Sequence, residues 1–204
     1  MPEAIQKYEV RKTLFSSPRP LTIDPLFLEF EDPSGTIRFT KDDIEAFRFG
    51  RIVFTFLSIT VGKAYSIEVK NSNGDVIVIR MHTLFGIRKK KIRSKFIEIY
   101  KAIHRTYFVD MGIHYVRLLN SGFTYELAGV LLNSEGVLLY PKKQLIPWNR
   151  VGLSVFSLSC SIYDLADPQH SRSFGYWDDW NASLLDTIVE YKLRHDASLF
   201  RKSR

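Results

Sequence analysis

The chain has 204 residues, 45% hydrophobic and 14% aromatic, with a formal charge of +7. That length supports one large core or two small ones, and charges interrupt every apolar run well short of the roughly 18 residues a membrane span needs. Cys160 is the single cysteine and excludes an intrachain disulfide, and the opening MPEAIQKYEV holds no apolar signal core, so a cytoplasmic, reducing compartment is expected.

Residues 1–7 are polar and read as a short arm. Residues 8–15 are β-prone and predict a first strand, ended by Pro18 and Pro20, which cannot sit inside a ladder. Residues 21–30 resume an extended pattern around Pro25, and 31–35 form a turn cluster with Gly35. Residues 36–40 alternate as a strand does, Ile37 and Phe39 on one face, Arg38 and Thr40 on the other. Residues 44–60 are rich in Phe, Ile and Val and predict a long strand, with a bulge or bend at Gly50 and a turn at 61–63. Asn71-Ser72-Asn73-Gly74-Asp75 is a strong hairpin signal, because Asn-Gly tolerates the positive φ of tight turns. The period then changes. Ile92, Phe96, Ile99, Tyr100, Ile103 and Tyr107 recur at three and four and predict an amphipathic helix of about five turns.

The second half repeats this order. Residues 113–119 and 123–132 read as extended, 133–136 as a turn, 137–140 as a short strand and 145–159 as a long strand region. Residues 164–171 read as a hairpin connection, 172–177 as the return strand, and 181–195 as a final helix capped by Asp178, Asp179 or Asn181. At an offset of 101, Gly35 matches Gly136, Phe39 matches Tyr140, Lys41 matches Lys142, Ile44 matches Leu145 and Phe47 matches Trp148. At an offset of 91, Tyr100 and His104 match Tyr191 and His195. The expected fold class is α+β, mainly β: two units, residues 8–110 and 111–200, each a run of antiparallel strands closed by one C-terminal amphipathic helix.

Such units resemble pleckstrin-homology-like domains, including the bacterial versions and the related GRAM domains. The likeness rests on element order and on a turn glycine, a short strand, a polar corner and an I-x-x-[WF] segment, here Ile44-Glu45-Ala46-Phe47 and Leu145-Ile146-Pro147-Trp148. It implies an antiparallel barrel or sandwich plugged by the helix, and a binding module rather than an enzyme. Some members bind inositol phosphates through basic residues of the first two strands and their loop, which would place Arg11, Lys12 and Arg19 here. The following strand departs from that pattern and carries Asp24 and Glu29.

Charge is unevenly placed. Residues 1–110 hold nineteen basic and thirteen acidic side chains, and six of the basic ones are Arg88, Lys89, Lys90, Lys91, Arg93 and Lys95. This run lies at the start of the first helix, where the helix dipole disfavours cations. It is therefore the candidate binding site, for an anionic membrane surface or an acidic protein. Its bland reading is a solvated helix face. No aromatics interleave it for base stacking, which sets nucleic acid aside. His82, His104, His114, His170 and His195 have no metal-ligand spacing. Asp164, Asp167 and His170 share one loop and read as turn residues. Trp148, Trp177 and Trp180 read as core and helix-entry residues. There is no P-loop, GxGxxG or nucleophile elbow, so no cofactor and no catalytic residues are expected. The leading expectation is a non-enzymatic adaptor for a protein partner. The alternative is a peripheral membrane adaptor that docks through residues 88–95.

Overall fold

The structure is a computed structural model that describes residues 4–13, 15–140 and 144–202. Lys142, expected to match Lys41, lies outside the described residues, as do residues 1–3 of the expected arm and Leu14 of the expected first strand. The fold is α+β and mainly β, with four antiparallel sheets. The chain divides into two compact units, Met1–Val109 and Asp110–Arg204.

In the first unit, β1 (Gln6–Val10), β2 (Arg19–Asp24), β3 (Phe27–Asp32) and β4 (Gly35–Thr40) form a meander in sequence order. The stretch expected to run extended around Pro25 is a hairpin. Pro25 and Leu26 make its two-residue turn, which the Asp24 carboxylate holds by accepting the Leu26 N–H at 2.9 Å. Alternate residues Leu21, Ile23, Leu28 and Phe30 are buried, as a sheet with one covered face requires. A 3-10 turn (Lys41–Asp43) leads into β5 (Ile44–Phe56), β6 (Ile59–Asn71) and β7 (Val76–Leu84). The Asn71–Asp75 hairpin forms as expected, with the Asn71 side-chain oxygen accepting the N–H groups of Asn73 and Asp75.

Two local expectations fail. Gly50 pairs regularly with Ser66, and the register shifts fall at Ile44/Ala46 and Phe54/Thr55 instead. Residues 61–63 are strand, not turn; the turn is Leu57-Ser58. Gly62 is there because a Cβ would come within 2.4 Å of the Thr83 carbonyl oxygen.

The first helix, α1 (Lys89–Ile103), buries Ile99, Ala102 and Ile103. Its side chains reach the sheets through Phe96 on Tyr65 (ring centroids 5.2 Å) and Tyr100 on Phe49 (4.3 Å). A π-helical turn (His104–Phe108) follows. Its wider ring of hydrogen bonds places three consecutive residues, Thr106, Tyr107 and Phe108, inside, which a 3.6-residue period would not do. Phe108 stacks on Phe47 at 3.7 Å, and the Tyr107 hydroxyl lies 2.8 Å and 2.6 Å from the Asp24 and Phe27 carbonyl oxygens, tying the helix to the β2–β3 turn.

Residues 113–119, expected as strand, are helical: α2 (Val109–Asn120) follows the π turn directly. Ile113, Val116 and Leu119 are spaced at three, and α2 closes at Gly122, whose φ of +80° is the left-handed conformation of a helix C-terminus. The second unit then runs β8 (Tyr125–Leu127), β9 (Val130–Leu132), β10 (Gly136–Leu139) and β11 (Leu145–Pro147), again four strands in sequence order. A 3-10 turn (Trp148–Arg150) precedes β12 (Val151–Val155), β13 (Ser159–Asp164) and β14 (Ser171–Gly175). The last described element is α3 (Ala182–Lys202).

Each unit is therefore four strands, a 3-10 turn, three strands and a helix. That order corrects the register of the repeat. Lys41–Asp43 corresponds to Trp148–Arg150, so Lys41 matches Trp148, and β4 corresponds to β11. Gly136 opens the strand before, β10, where a Cβ would meet the Ile146 carbonyl oxygen at 2.1 Å. The helix match stands on contacts: Tyr100 packs on His104 at 5.7 Å and Tyr191 on His195 at 4.1 Å, each pair one helical turn apart.

Candidate functional site

The helix start falls earlier than the apolar stripe indicates. Lys89, Lys90 and Lys91 form the first turn of α1, behind a left-handed Arg88 (φ 53°) with no side-chain cap and no acidic residue in that turn. Arg88, Lys89, Lys90, Lys91 and Arg93 are exposed, and Lys95 is half-buried. Cations at the positive end of a helix dipole cost the fold about 0.3–1 kcal/mol each, so nothing in the local structure calls for them.

The helix distributes these charges over two faces. Arg88, Lys91 and Lys95, spaced at three and four, line a cleft of about 550 Å³ with Arg11, Thr13, Met81 and Glu9. The Lys95 ammonium donates to the Glu9 carbonyl oxygen. Arg11, singled out by the family resemblance, thus joins the basic run. Lys12 instead follows the sheet edge, its carbonyl oxygen accepting the His82 N–H at 2.7 Å. Arg19 sits on β2 opposite Val10. The other face holds Lys89 and Arg93, near Lys63 of β6 and Arg51 of β5. Burial, then the charges of Arg51, Lys89 and Arg93, push the Lys63 ammonium below the usual lysine value. Burial, then Lys12 and Arg80, lower the His82 pKa as well, so this histidine stays neutral at physiological pH.

The remaining candidates are structural. Among the described residues no group of three His, Cys, Asp or Glu could hold a metal. Asp164 accepts two bonds from the Arg150 guanidinium and one from the Ala166 N–H, and its own N–H donates to the His170 carbonyl, so Asp164, Asp167 and His170 close the β13–β14 connection. The Trp148 indole is buried and donates to the Asn133 carbonyl at 2.9 Å. Trp177 and Trp180 are half-buried at the entry to α3. His104 packs between Phe47 and Tyr100, and burial lowers its pKa. Cys160 is fully buried, and burial, with Asp186 and Asp179 nearby, pushes its thiol up to about 12. This is an inert thiol.

Asp186 is a local stability determinant. Burial raises its pKa, against hydrogen bonds from the Tyr176 and Thr187 hydroxyls that lower it. A carboxyl raised in the folded state favours folding most below its unfolded value near 3.9, and that contribution is lost as pH rises through the folded pKa. Asp186→Asn, which keeps the acceptor for Tyr176, is expected to match the parent near pH 4 and to exceed it in urea midpoint by pH 7. A midpoint that falls at pH 7 would contradict this.

Two exposed apolar turns carry no recognisable motif in the sequence. Leu57 and Ile59, at the β5–β6 turn, are 81% and 70% exposed. The equivalent β12–β13 turn of the second unit carries Phe156 and Leu158, also exposed, so Leu-Ser-Ile and Phe-Ser-Leu occupy the same place in the two units.

No protein-family model, curated protein sequence or solved structure matches the chain. The chemistry of the site therefore carries the functional reading. Among the described residues no helix is long and apolar enough to cross a membrane.

Proposed function

We propose that this is a non-enzymatic tandem pleckstrin-homology-like adaptor whose first unit docks on an anionic membrane surface. The observation that carries the reading is the gathering of the basic run into a cleft with Arg11 on one side and into a group with Arg51 and Lys63 on the other. Acidic headgroups attract such a segment by about 1 kcal/mol per Lys or Arg near the surface.

The test is vesicle co-sedimentation of the full chain. Lys89→Gln, Lys90→Gln and Lys91→Gln together should lower affinity for vesicles containing phosphatidylserine by about 100-fold, three charges at roughly 1 kcal/mol each. The same change relieves the helix dipole, so thermal stability should hold or rise. Equal binding to neutral and acidic vesicles, or indifference to the three substitutions, sinks the reading.

A second reading concerns the second unit, which we propose takes a protein partner. Val155, Phe156 and Leu158 are exposed there, and residues 151–164 contain no Lys or Arg, so an apolar protein surface suits this hairpin better than an acidic bilayer. A native pull-down from the host that Phe156→Ser and Leu158→Ser leave unchanged would count against it.

A further inference from the structure

The outer half of the β5–β6 hairpin is not explained by folding. β7 ends its ladder at Leu84, opposite Gly62, and Gly62 pairs with Phe54. Beyond that point Thr55, Phe56 and the Leu57-Ser58 turn return to Ile59 and Thr60 with no third strand beside them among the described residues. At about 3.3 Å per residue the overhang projects roughly 10 Å. A two-stranded ribbon of this kind is marginal in water unless something covers it. Yet Ile52, Val53, Phe54, Leu57 and Ile59 are all exposed on it. Phe85 and Ile87 are also exposed, 77% and 51%, and the Phe85 N–H donates to the Val61 carbonyl at 2.8 Å, which holds this segment beside the hairpin. Leu57 and Ser58 both take positive φ (46° and 65°), where Asn-Gly would be relaxed. An apolar leucine kept in that conformation at an exposed tip argues for a role outside folding.

The surroundings identify the occupant. Arg51 and Lys63 stand at the base of the overhang, with Lys89 and Arg93 next to Lys63. No Asp or Glu occurs from Ala46 to Ile67 or from Val76 to Ile97, the segments that build this end of the unit. An apolar tip above an all-cationic collar matches the layering of an acidic bilayer, hydrocarbon beyond headgroups. We propose that the β5–β6 tip, with Phe85 and Ile87 beside it, inserts into the outer hydrocarbon of an anionic bilayer while Arg51, Lys63, Lys89 and Arg93 lie among its headgroups. This rests on the reading of the first unit as a membrane-docking module and adds the depth and the residues of contact.

The test places an environment-sensitive nitrobenzoxadiazole dye on Leu57→Cys in the full chain. Cys160 is fully buried with its thiol pushed up to about 12, so it takes little label. On vesicles with phosphatidylserine the dye should shift to the blue, resist aqueous iodide and be quenched by nitroxides placed shallowly on the acyl chains. Leu57→Ser with Ile59→Ser, both at exposed positions, should keep the thermal transition and weaken binding to these vesicles about tenfold or more. Binding with the dye still open to iodide, unchanged by the serine pair, overturns insertion while leaving electrostatic docking intact. Equal insertion into purely neutral vesicles overturns the assignment to an anionic bilayer. Failure of the unsubstituted chain to bind acidic vesicles overturns the docking reading and the insertion together.

Discussion

Replacing Arg48 and Arg80 together by Met should destabilise the first unit by about 3–5 kcal/mol, whereas either replacement alone should cost about 1 kcal/mol. The two guanidiniums converge on one carboxylate. Arg48 reaches Glu68 Oε2 at 2.9 and 2.8 Å, and Arg80 reaches Oε1 at 2.8 Å, while the Glu68 side chain is 4% exposed. Burial works to raise the Glu68 pKa, and the two arginines outweigh it and hold the carboxyl below its usual range. With one arginine gone the other still compensates the charge, so the effects are not additive. With both gone the carboxylate is buried without a cation.

The sign of the pH dependence then reverses. In the parent, a depressed pKa contributes stability above the unfolded value near 4.3, and that contribution is lost as pH falls through the folded pKa. In the double variant burial is unopposed and the pKa rises. Stability is then greatest at low pH and is lost as pH rises through the new folded value. Urea midpoints at pH 5 and pH 7 decide the matter. A double variant that loses no more than the two singles combined, or that is more stable at pH 7 than at pH 5, would refute the hub.

Phe47→Ala should also cost about 3–5 kcal/mol, the range for large aromatics removed from a core. Phe47 is 1% exposed and stacks on Phe108 at 3.7 Å, with Phe49 and His104 at its margins. It joins β5 to the π turn, so its loss leaves a cavity where the turn is anchored to the sheet. Thermal denaturation should show the loss, and Phe47→Leu should recover more than half of it. A small effect from Phe47→Ala would mean that the helix closes the gap by shifting.

The elements with strong local chemistry were legible. Asn-Gly marked the β6–β7 hairpin, and the three-and-four spacing from Ile92 marked α1. The β5–β6 turn was hidden because Leu57 and Ser58 carry no turn chemistry, and Gly62 drew attention to the wrong place, its real constraint being the approach of the Thr83 carbonyl. α2 was hidden because Ile113, Tyr115 and Val116 favour strands by type, while only their spacing and Gly122 favour a helix. The repeat register slipped because Gly136 and Gly35 both precede short apolar strands, and only sheet order distinguishes β10 from β11. The basic run was plain in the sequence, but its division over two faces depends on where α1 begins. The apolar tip left one trace, the absence of acidic residues across two long segments, which the overall charge count does not reveal.

The π turn at His104–Phe108 gives the two halves of the chain different tolerances to change in length. α3, its opposite number, runs from Ala182 to Lys202 as a single α-helix, so a residue lost near its end shifts only the few residues beyond the deletion. In the first unit, losing one residue between His104 and Phe108 would let the backbone relax to ordinary α-helical bonding, yet it would turn the remaining side chains by about 100°. Tyr107 would then leave the β2–β3 turn or Phe108 would leave Phe47. Five residues of chain thus act as a counted spacer, in which the number of residues matters more than most of their identities.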